Sequence, residues 1–194
     1  AEGADIRIVY SPLDALRVAR ENPEKKVVFL AVGFETTAPT AAALVLAAKG
    51  AGVKNLFLLS AQKLVPPALR ALMDDPAVRV DGFLLPGHVA VVTGTDIFSF
   101  VAADYHLPGV VAGFSPLAIL RALTRLTQQV AAGEVRIENE YESVVHREGS
   151  REALRVMDLV YEPVDARWRG IGIIPKSGFA LRGYYRETDA EARF

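Results

Sequence analysis

The chain contains no cysteine. Without a thiol, its 194 residues can supply no disulfide, no zinc–thiolate or iron–sulfur ligand and no cysteine nucleophile. Histidine is scarce as well, with only His88, His106 and His146 present. None of the three stands three or four residues from another, which excludes a helical pair of histidine ligands. We therefore expect neither a metal site nor a bound cofactor in this chain.

Long apolar runs and an excess of one charge are also missing. No uninterrupted apolar stretch approaches the roughly 20 residues of a membrane-spanning helix. The first residues, AEGAD, have neither the basic start nor the apolar core of a signal peptide. The 23 acidic and 22 basic residues nearly balance, giving a formal net charge of −1. The sequence thus predicts a cytoplasmic protein with neither a membrane nor a nucleic acid as partner.

Apolar residues make up 51% of the chain, and they form short predicted strands that alternate with helices. Serine followed by proline, at 11–12 and at 115–116, marks two helix starts, because serine caps free N–H groups and proline there needs no partner. Predicted strands lie at 6–10, 27–32, 56–59, 82–85 and 110–112, and predicted helices at 12–21, 39–50, 67–73, 95–103 and 116–132. Strands without polar alternation are typical of parallel sheets covered on both faces.

This alternation predicts an α/β protein with mostly parallel sheets and helices on both faces, Rossmann-like and built of two similar lobes. The repeat of YSPL at 10–13 as FSPL at 114–117 supports two lobes, although good local helix-start chemistry explains it equally well. We place the first lobe at 1–80, the second at 81–160 and a C-terminal crossover segment at 161–194.

The C-terminal part of the chain has a different pattern. We expect a half-exposed strand at 135–141, a helix at 152–160 and a loop with a short strand inside at 168–178. The polar tail, 187–194, is expected to be frayed or to be the start of a helix. The chain also begins close to a predicted strand, which suggests a piece of a longer protein.

Polar residues follow three of the predicted strands, in the turns GFETTAP at 33–39, PGH at 86–88 and GFSP at 113–116. In an open parallel sheet, ligands bind just beyond the carboxyl ends of the strands. Glu35, Thr36 and Thr37 could therefore contact a ligand through a carboxylate and two hydroxyls beside a helix N-terminus. Ordinary helix capping explains the same three residue types, so both interpretations stay open.

Other candidates also have two interpretations. His88, placed after a Pro-Gly pair, could be an acid, a base or a metal ligand, or could simply hydrogen-bond a neighbouring loop. Lys63 could meet an anion past a strand end, or could be an ordinary exposed lysine. His106 and His146 lie in polar stretches and are expected on the surface. Gly-x-Gly at 170–172 lacks the third glycine of a dinucleotide fingerprint, so NAD is not expected.

Read together, these turns resemble the HypD family of hydrogenase maturation proteins over nearly the whole chain. Each motif alone is weak, but all of them occur in the family's order, which makes the set specific. The motifs are GFETTAP at 33–39, KLVPP at 63–67, PGHV at 86–89, GF-x-PL-x-IL at 113–120, N-x-Y at 139–141, EG at 148–149 and WRG-x-G-x-IP-x-SG at 168–178.

The resemblance implies a scaffold that, with a small HypC-type partner and other maturation proteins, assembles the Fe(CN)2CO centre of nickel–iron hydrogenases. It implies two Rossmann-like domains, and for the full-length protein a four-iron–four-sulfur cluster and a transient Fe(CN)2CO group. None of the family's cysteine motifs lies in this chain. We therefore expect a central fragment that is inactive alone, with any redox role confined to the full-length protein.

The resemblance also assigns site residues. It implies that the catalytic set lining the cleft between the lobes is Glu35, Thr36, Thr37 and His88. It adds a second set in the cleft or in contact with a partner, namely Lys63, Ser115, Tyr141, Trp168 and Arg169. The chain departs from the family at three positions, because the family favours His at Gln62, Glu at Ser115 and Arg at Ser143.

Two further functional classes remain open from the sequence. One is a small-molecule-binding or transferase domain that uses the same cleft at the strand ends. The other is a pure interaction scaffold, with Trp168 and Arg169 as a docking patch. Cysteine-rich segments on both sides of this stretch in the gene would favour hydrogenase maturation over both.

Overall fold

The computed structural model describes residue 3 and residues 5–194. Strands and helices alternate through most of this part of the chain, as predicted. In chain order the elements are α1 (Pro12–Glu21), β1 (Val27–Gly33), α2 (Ala38–Gly50), β2 (Leu56–Gln62), α3 (Val65–Met73), β3 (Phe83–Pro86), α4 (Gly87–Thr93), α5 (Ser99–Ala103), β4 (Gly109–Ala112), α6 (Pro116–Ala132), β5 (Ile137–Asn139), α7 (Arg151–Val160), β6 (Tyr161–Trp168), β7 (Gly172–Leu181) and α8 (Ala190–Arg193).

The parallel strands form two separate small sheets. In the first, β1 pairs with β2 from Val27 opposite Leu56 to Gly33 opposite Gln62. In the second, β4 lies between β3 and β5, and all three run parallel. Helices pack around both sheets, so the predicted α/β class is confirmed. Since the strands of each sheet run in one direction, their carboxyl ends, and the turns that follow them, gather at one edge.

The N-terminal strand predicted at 6–10 is wrong. These residues are irregular, and Ile6, Ile8 and Tyr10 are exposed. Their alternating apolar pattern favours a strand, but a strand forms only where a neighbour accepts its backbone hydrogen bonds. The helix start that follows is as predicted, since Ser11 and Asp14 form a reciprocal capping box at the N-terminus of α1.

The loop predicted at 168–178 is also wrong, because these residues belong to the antiparallel hairpin of β6 and β7. Its turn uses Gly170 and Gly172, both with positive φ, which suits a tight reversal. Pro163 and Pro175 lie inside the two strands, and proline normally argues against a strand, which is why the sequence pattern misleads here.

The helix predicted at 95–103 begins much earlier in the structure. It is divided into α4, a 3₁₀ turn over Asp96–Phe98, and α5. Gly94, with φ +82°, ends α4, so the helical run is interrupted before Thr95. As a result His88 lies on the first turn of α4 instead of on a free turn. The tail, predicted as frayed or as a helix start, forms a 3₁₀ turn over Gly183–Thr188 followed by α8.

The C-terminal elements pack against the first sheet. One buried cluster joins side chains of β1, α2 and β2 to those of α7, β6 and β7, with Val45, Met157 and Phe179 among its members. A separate cluster holds the second sheet together with α4, including Leu85, Val89 and Val111. The chain thus returns to the first sheet after completing the second. The lobe boundaries at 80/81 and 160/161 stay a prediction. Within the described residues, no helix combines the length and apolar character needed to cross a membrane.

Candidate functional site

Glu35 is a buried acid between the first sheet and α3. It follows β1 by two residues, and its side chain is 1% exposed. One carboxyl oxygen, Oε1, accepts a hydrogen bond from the backbone N–H of Val65 at 2.9 Å. The other, Oε2, is buried and has no hydrogen-bond partner among the described residues. A buried carboxyl oxygen without a partner is costly, which makes this position a candidate for function.

The start of α3 explains why an acceptor is needed there. Pro66 and Pro67 carry no backbone N–H, so the free donors of this helix end are those of Leu64 and Val65. The Leu64 N–H donates to the carbonyl of Ser177 in β7 at 2.9 Å, and that of Val65 goes to Glu35. Glu35 therefore caps the N-terminus of α3, which begins 30 residues later, and not that of α2, the helix that directly follows it.

Burial raises the pKa of the Glu35 carboxyl above its usual value, while hydrogen bonds from its own backbone N–H and from that of Val65 oppose the rise. Burial dominates because transferring a carboxylate out of water disfavours the charged form. Burial thus favours the neutral form of Glu35 more than water would, and a neutral carboxyl can donate a proton or a hydrogen bond. This is the electrostatic feature that distinguishes the site.

The two threonines differ in their surroundings. Thr37 is the N-cap of α2, but its hydroxyl makes no capping hydrogen bond. Instead Oγ1 lies 3.3 Å from the carbonyl oxygen of Phe34 and accepts from Nε2 of Gln62, also at 3.3 Å. A side chain at Gly33, whose φ is +145°, would overlap this hydroxyl. Thr36 and Thr37 are both exposed. The hydroxyl of Thr37 is therefore part of a polar cluster and not a helix cap.

Gln62, one of the three departures from the family pattern, adds a second buried polar side chain to this region. It is the last residue of β2 and is 1% exposed. Its amide oxygen, Oε1, is buried without a hydrogen-bond partner among the described residues, as is Oε2 of Glu35. A glutamine at the end of an apolar strand could have indicated this role, because such a position is normally buried.

His88 stands over the end of the second sheet. Its side chain is exposed on α4, and its ring meets that of Phe114 edge-on at 4.7 Å and that of Tyr141 at 6.2 Å. No hydrogen bond of its imidazole is found within residues 5–194, so the alternative of a histidine tied to a neighbouring loop has no support. The ring nitrogens are free to meet a ligand. His106 and His146 are exposed, as expected.

Residues of the turns around His88 stabilise the fold through helix capping and packing. Ser115 caps α6, since its Oγ accepts from the N–H of Ala118 at 3.2 Å. Tyr141 packs against Gly87 and Gly113, and the missing side chain of Gly87 leaves room for its ring. Ser143 is exposed in the following turn. The turns after β3 and β4 therefore meet at one edge, as the parallel register of the sheet requires.

The β6–β7 hairpin brings Trp168 to the Glu35 loop. The Trp168 ring lies 6.2 Å from that of Phe34, and its Nε1 donates to Oγ of Ser177 at 2.7 Å. Ser177 is fully buried and was not recognised from the sequence, where Lys-Ser-Gly resembles a loop. Lys63 is half-buried and pairs through its backbone with Gly178. Arg169 is exposed at the hairpin turn.

The Glu35 and His88 regions are linked through α3. Val65, whose N–H binds Glu35, packs against the buried cluster that contains Leu85 and Val89. Val89 directly follows His88. Glu35 and His88 themselves make no direct contact in the described part of the chain, and each stands at the carboxyl end of a different sheet. A cleft shared by both residues stays a prediction.

The described residues include no group of three or more His, Cys, Asp or Glu side chains that could hold a metal ion. A four-iron–four-sulfur cluster requires thiolate ligands, and this chain has no cysteine. The residues of this chain therefore do not fit such a cluster.

Replacing Glu35 with glutamine is expected to increase the free energy of unfolding more at neutral pH than at acid pH. Because the folded pKa of Glu35 lies above its unfolded value, its ionisation destabilises the folded chain. That loss begins above the ordinary glutamate pKa and is complete above the raised one. Glutamine cannot ionise, and it keeps an oxygen for the Val65 N–H.

Urea unfolding of both proteins across pH measures the difference, and Glu162→Gln, at an exposed position on β6, is the control. A pH-independent difference would contradict the burial effect.

The fold and the site together define a class of protein. It is an α/β protein with a buried acid at the end of one parallel sheet and an exposed histidine at the end of the other. All 194 residues match the family described as "HypD: Hydrogenase formation hypA family". The chain belongs to this HypD family.

Curated relatives agree with the family assignment. The chain is 46% identical over 195 residues to "Hydrogenase maturation factor HypD" of Escherichia coli strain K12, covering 100% of this chain and 52% of the relative. The protein of the same name from Rhodobacter capsulatus gives the same identity and coverage. That of Cupriavidus necator is 40% identical over 201 residues, covering 100% of this chain and 53% of the relative. The chain thus spans about half the length of the curated relatives it matches.

Proposed function

We propose that this chain is the central α/β part of a scaffold for hydrogenase maturation, which assembles the Fe(CN)2CO centre of nickel–iron hydrogenases with a small HypC-type partner. The observation that carries the proposal is the family match over all 194 residues. The geometry of the strand ends supports it, because the family-like motifs hold a buried acid with a raised pKa and an exposed imidazole at the edges where α/β proteins bind ligands.

The roles of the residues follow from their surroundings. Burial raises the pKa of Glu35, which makes this carboxyl a candidate to give up a proton to the cargo during the reaction. Thr36, exposed beside it, adds a hydroxyl. His88 contributes an imidazole that can move a proton or contact groups around the iron. Because this chain has no thiol, any thiolate that holds the iron cargo comes from outside these 194 residues.

Infrared spectroscopy tests this assignment directly. The protein, purified without oxygen from its host under conditions that induce hydrogenase, is expected to show stretching bands of iron-bound cyanide and carbon monoxide. Deleting its gene is expected to abolish nickel–iron hydrogenase activity, and the intact gene is expected to restore it. Normal hydrogenase activity in the deletion strain would overturn the proposal.

The same experiment separates the other two classes. A transferase or small-molecule-binding domain would carry an organic ligand, detectable by mass spectrometry, without either infrared band. A pure interaction scaffold would lose its partner when Trp168 and Arg169 are replaced, and it would show no iron-bound diatomic ligand at any stage.

A further inference from the structure

Two buried oxygen atoms without partners belong to neighbouring parts of the first sheet. They are Oε2 of Glu35 and Oε1 of Gln62, and both side chains are 1% exposed. Gln62 stands opposite Gly33 in the strand pairing, and Glu35 follows Gly33 by two residues. An ionised carboxylate and an amide oxygen are both acceptors, so neither satisfies the other. A neutral carboxyl carries a donor, so a proton on Glu35 would be suited to the unpaired amide oxygen of Gln62.

The orientation of the Gln62 amide follows from its contact with Thr37. The Thr37 hydroxyl has one proton, and its Oγ1 lies within hydrogen-bond distance of the carbonyl oxygen of Phe34, which can only accept. Thr37 therefore accepts from Gln62, which requires the amide nitrogen to face Thr37 at 3.3 Å. The amide oxygen then points away from Thr37 into the buried region.

We propose that Gln62 is a positioning residue for the Glu35 site. Its amide nitrogen holds the Thr37 hydroxyl toward the backbone, and its amide oxygen accepts the proton of neutral Glu35, directly or across one buried water. Gln62 thereby keeps Glu35 protonated and oriented. Only the purpose of this proton, its use in hydrogenase maturation, rests on the proposed function.

Charged side chains do not provide another explanation for a protonated Glu35. The elements around it carry Lys63 after β2 and Arg70 on α3. The charged residues of the hairpin are Glu162, Asp165, Arg167, Arg169 and Lys176. None of these contributes to the raised pKa of Glu35, which burial causes and two backbone hydrogen bonds oppose. Burial and the hydrogen-bond partners of Glu35 together therefore set how readily it loses its proton.

Titration of the Glu35 carboxyl carbon by ¹³C NMR tests the proposal, with Glu35→Gln identifying the signal. In Gln62→Leu the acceptor for the Glu35 proton is gone, so the neutral form loses a hydrogen bond. The titration midpoint is therefore expected to fall by roughly 0.5–1 pH unit, which corresponds to the free energy of one neutral hydrogen bond. In Gln62→Glu two buried carboxyls share one proton, and the midpoint is expected to rise. Ser60→Ala is the control, because Ser60 lies on the same strand as Gln62, and the variant loses only the hydrogen bond from Ser60 to the carbonyl of Phe179 on β7. It is expected to leave the midpoint unchanged.

An unchanged or raised midpoint in Gln62→Leu overturns the proposal. If Gln62→Leu does not fold, a midpoint in Gln62→Glu that is not raised overturns it equally. These titrations do not use hydrogenase maturation as a readout, so a failure of the proposed function leaves them interpretable.

The contact with Thr37 has a test of its own in the side-chain amide protons of Gln62. Thr37→Val removes the acceptor, and the ¹⁵N–H signals of Gln62 Nε2 are expected to shift and to exchange faster with water. Thr37→Ser keeps the hydroxyl and is expected to restore both. Identical Gln62 signals in all three proteins would show that Gln62 does not position Thr37.

Discussion

His88→Ala is expected to abolish hydrogenase maturation in the protein as its host produces it, while the fold stays intact. The imidazole is exposed on α4 and makes ring contacts with Phe114 and Tyr141, so few stabilising contacts are lost. An aromatic contact is worth about 0.5–1.5 kcal/mol, whereas loss of a group that transfers a proton costs about 100-fold or more in rate. Hydrogenase activity and melting temperature, measured on the same variant, separate the two effects.

Two further variants sharpen this test. His88→Phe keeps an aromatic ring against Phe114 but has no ring nitrogen, so it is expected to be as inactive as the alanine variant. His146→Ala replaces an exposed histidine outside the His88 contacts and is expected to be fully active. Normal hydrogenase activity with a lowered melting temperature in His88→Ala would remove this residue from the site.

Gly87→Ala is expected to destabilise the protein by about 1–3 kcal/mol, the usual cost of forcing extra atoms into a packed region. A Cβ at this position would overlap the carbonyl oxygen of Ala112 and lie 2.9 Å from Cδ1 of Tyr141. The carbonyl belongs to β4 and cannot move without breaking the sheet register. The free energy of unfolding in urea measures this loss.

Gly50→Ala is the matched control, because a Cβ there meets nothing within 4 Å at the end of α2. It is expected to leave stability unchanged or to increase it by about 0.5–1 kcal/mol, since alanine restricts the unfolded chain more than glycine does. Equal stability of the two glycine variants would show that the second sheet accommodates a side chain at position 87.

Much of the fold follows from local patterns. The start of α1 could be predicted because Ser11 and Pro12 satisfy the helix end with neighbouring atoms. The strands β1 and β2 could be predicted because their apolar runs are bounded by glycine and polar residues. The hairpin of β6 and β7 could not, because its strands contain prolines and are stabilised by pairing with each other and with the end of β2.

By itself the sequence determined which chemical groups this chain can offer: no thiol, few imidazoles and an acid at a strand end. It also determined the α/β class. Composition is sufficient for the first and local periodicity for the second. Only the tertiary structure decided which candidate site residues are buried and which hydrogen bonds they make. Glu35 is buried because α3, beginning 30 positions later, places the Val65 N–H against it. Gln62 joins the site because the β1–β2 register sets it opposite Gly33. Hydrogen bonding of this kind depends on contacts between residues far apart in the chain, and a local pattern shows at most that a position is buried.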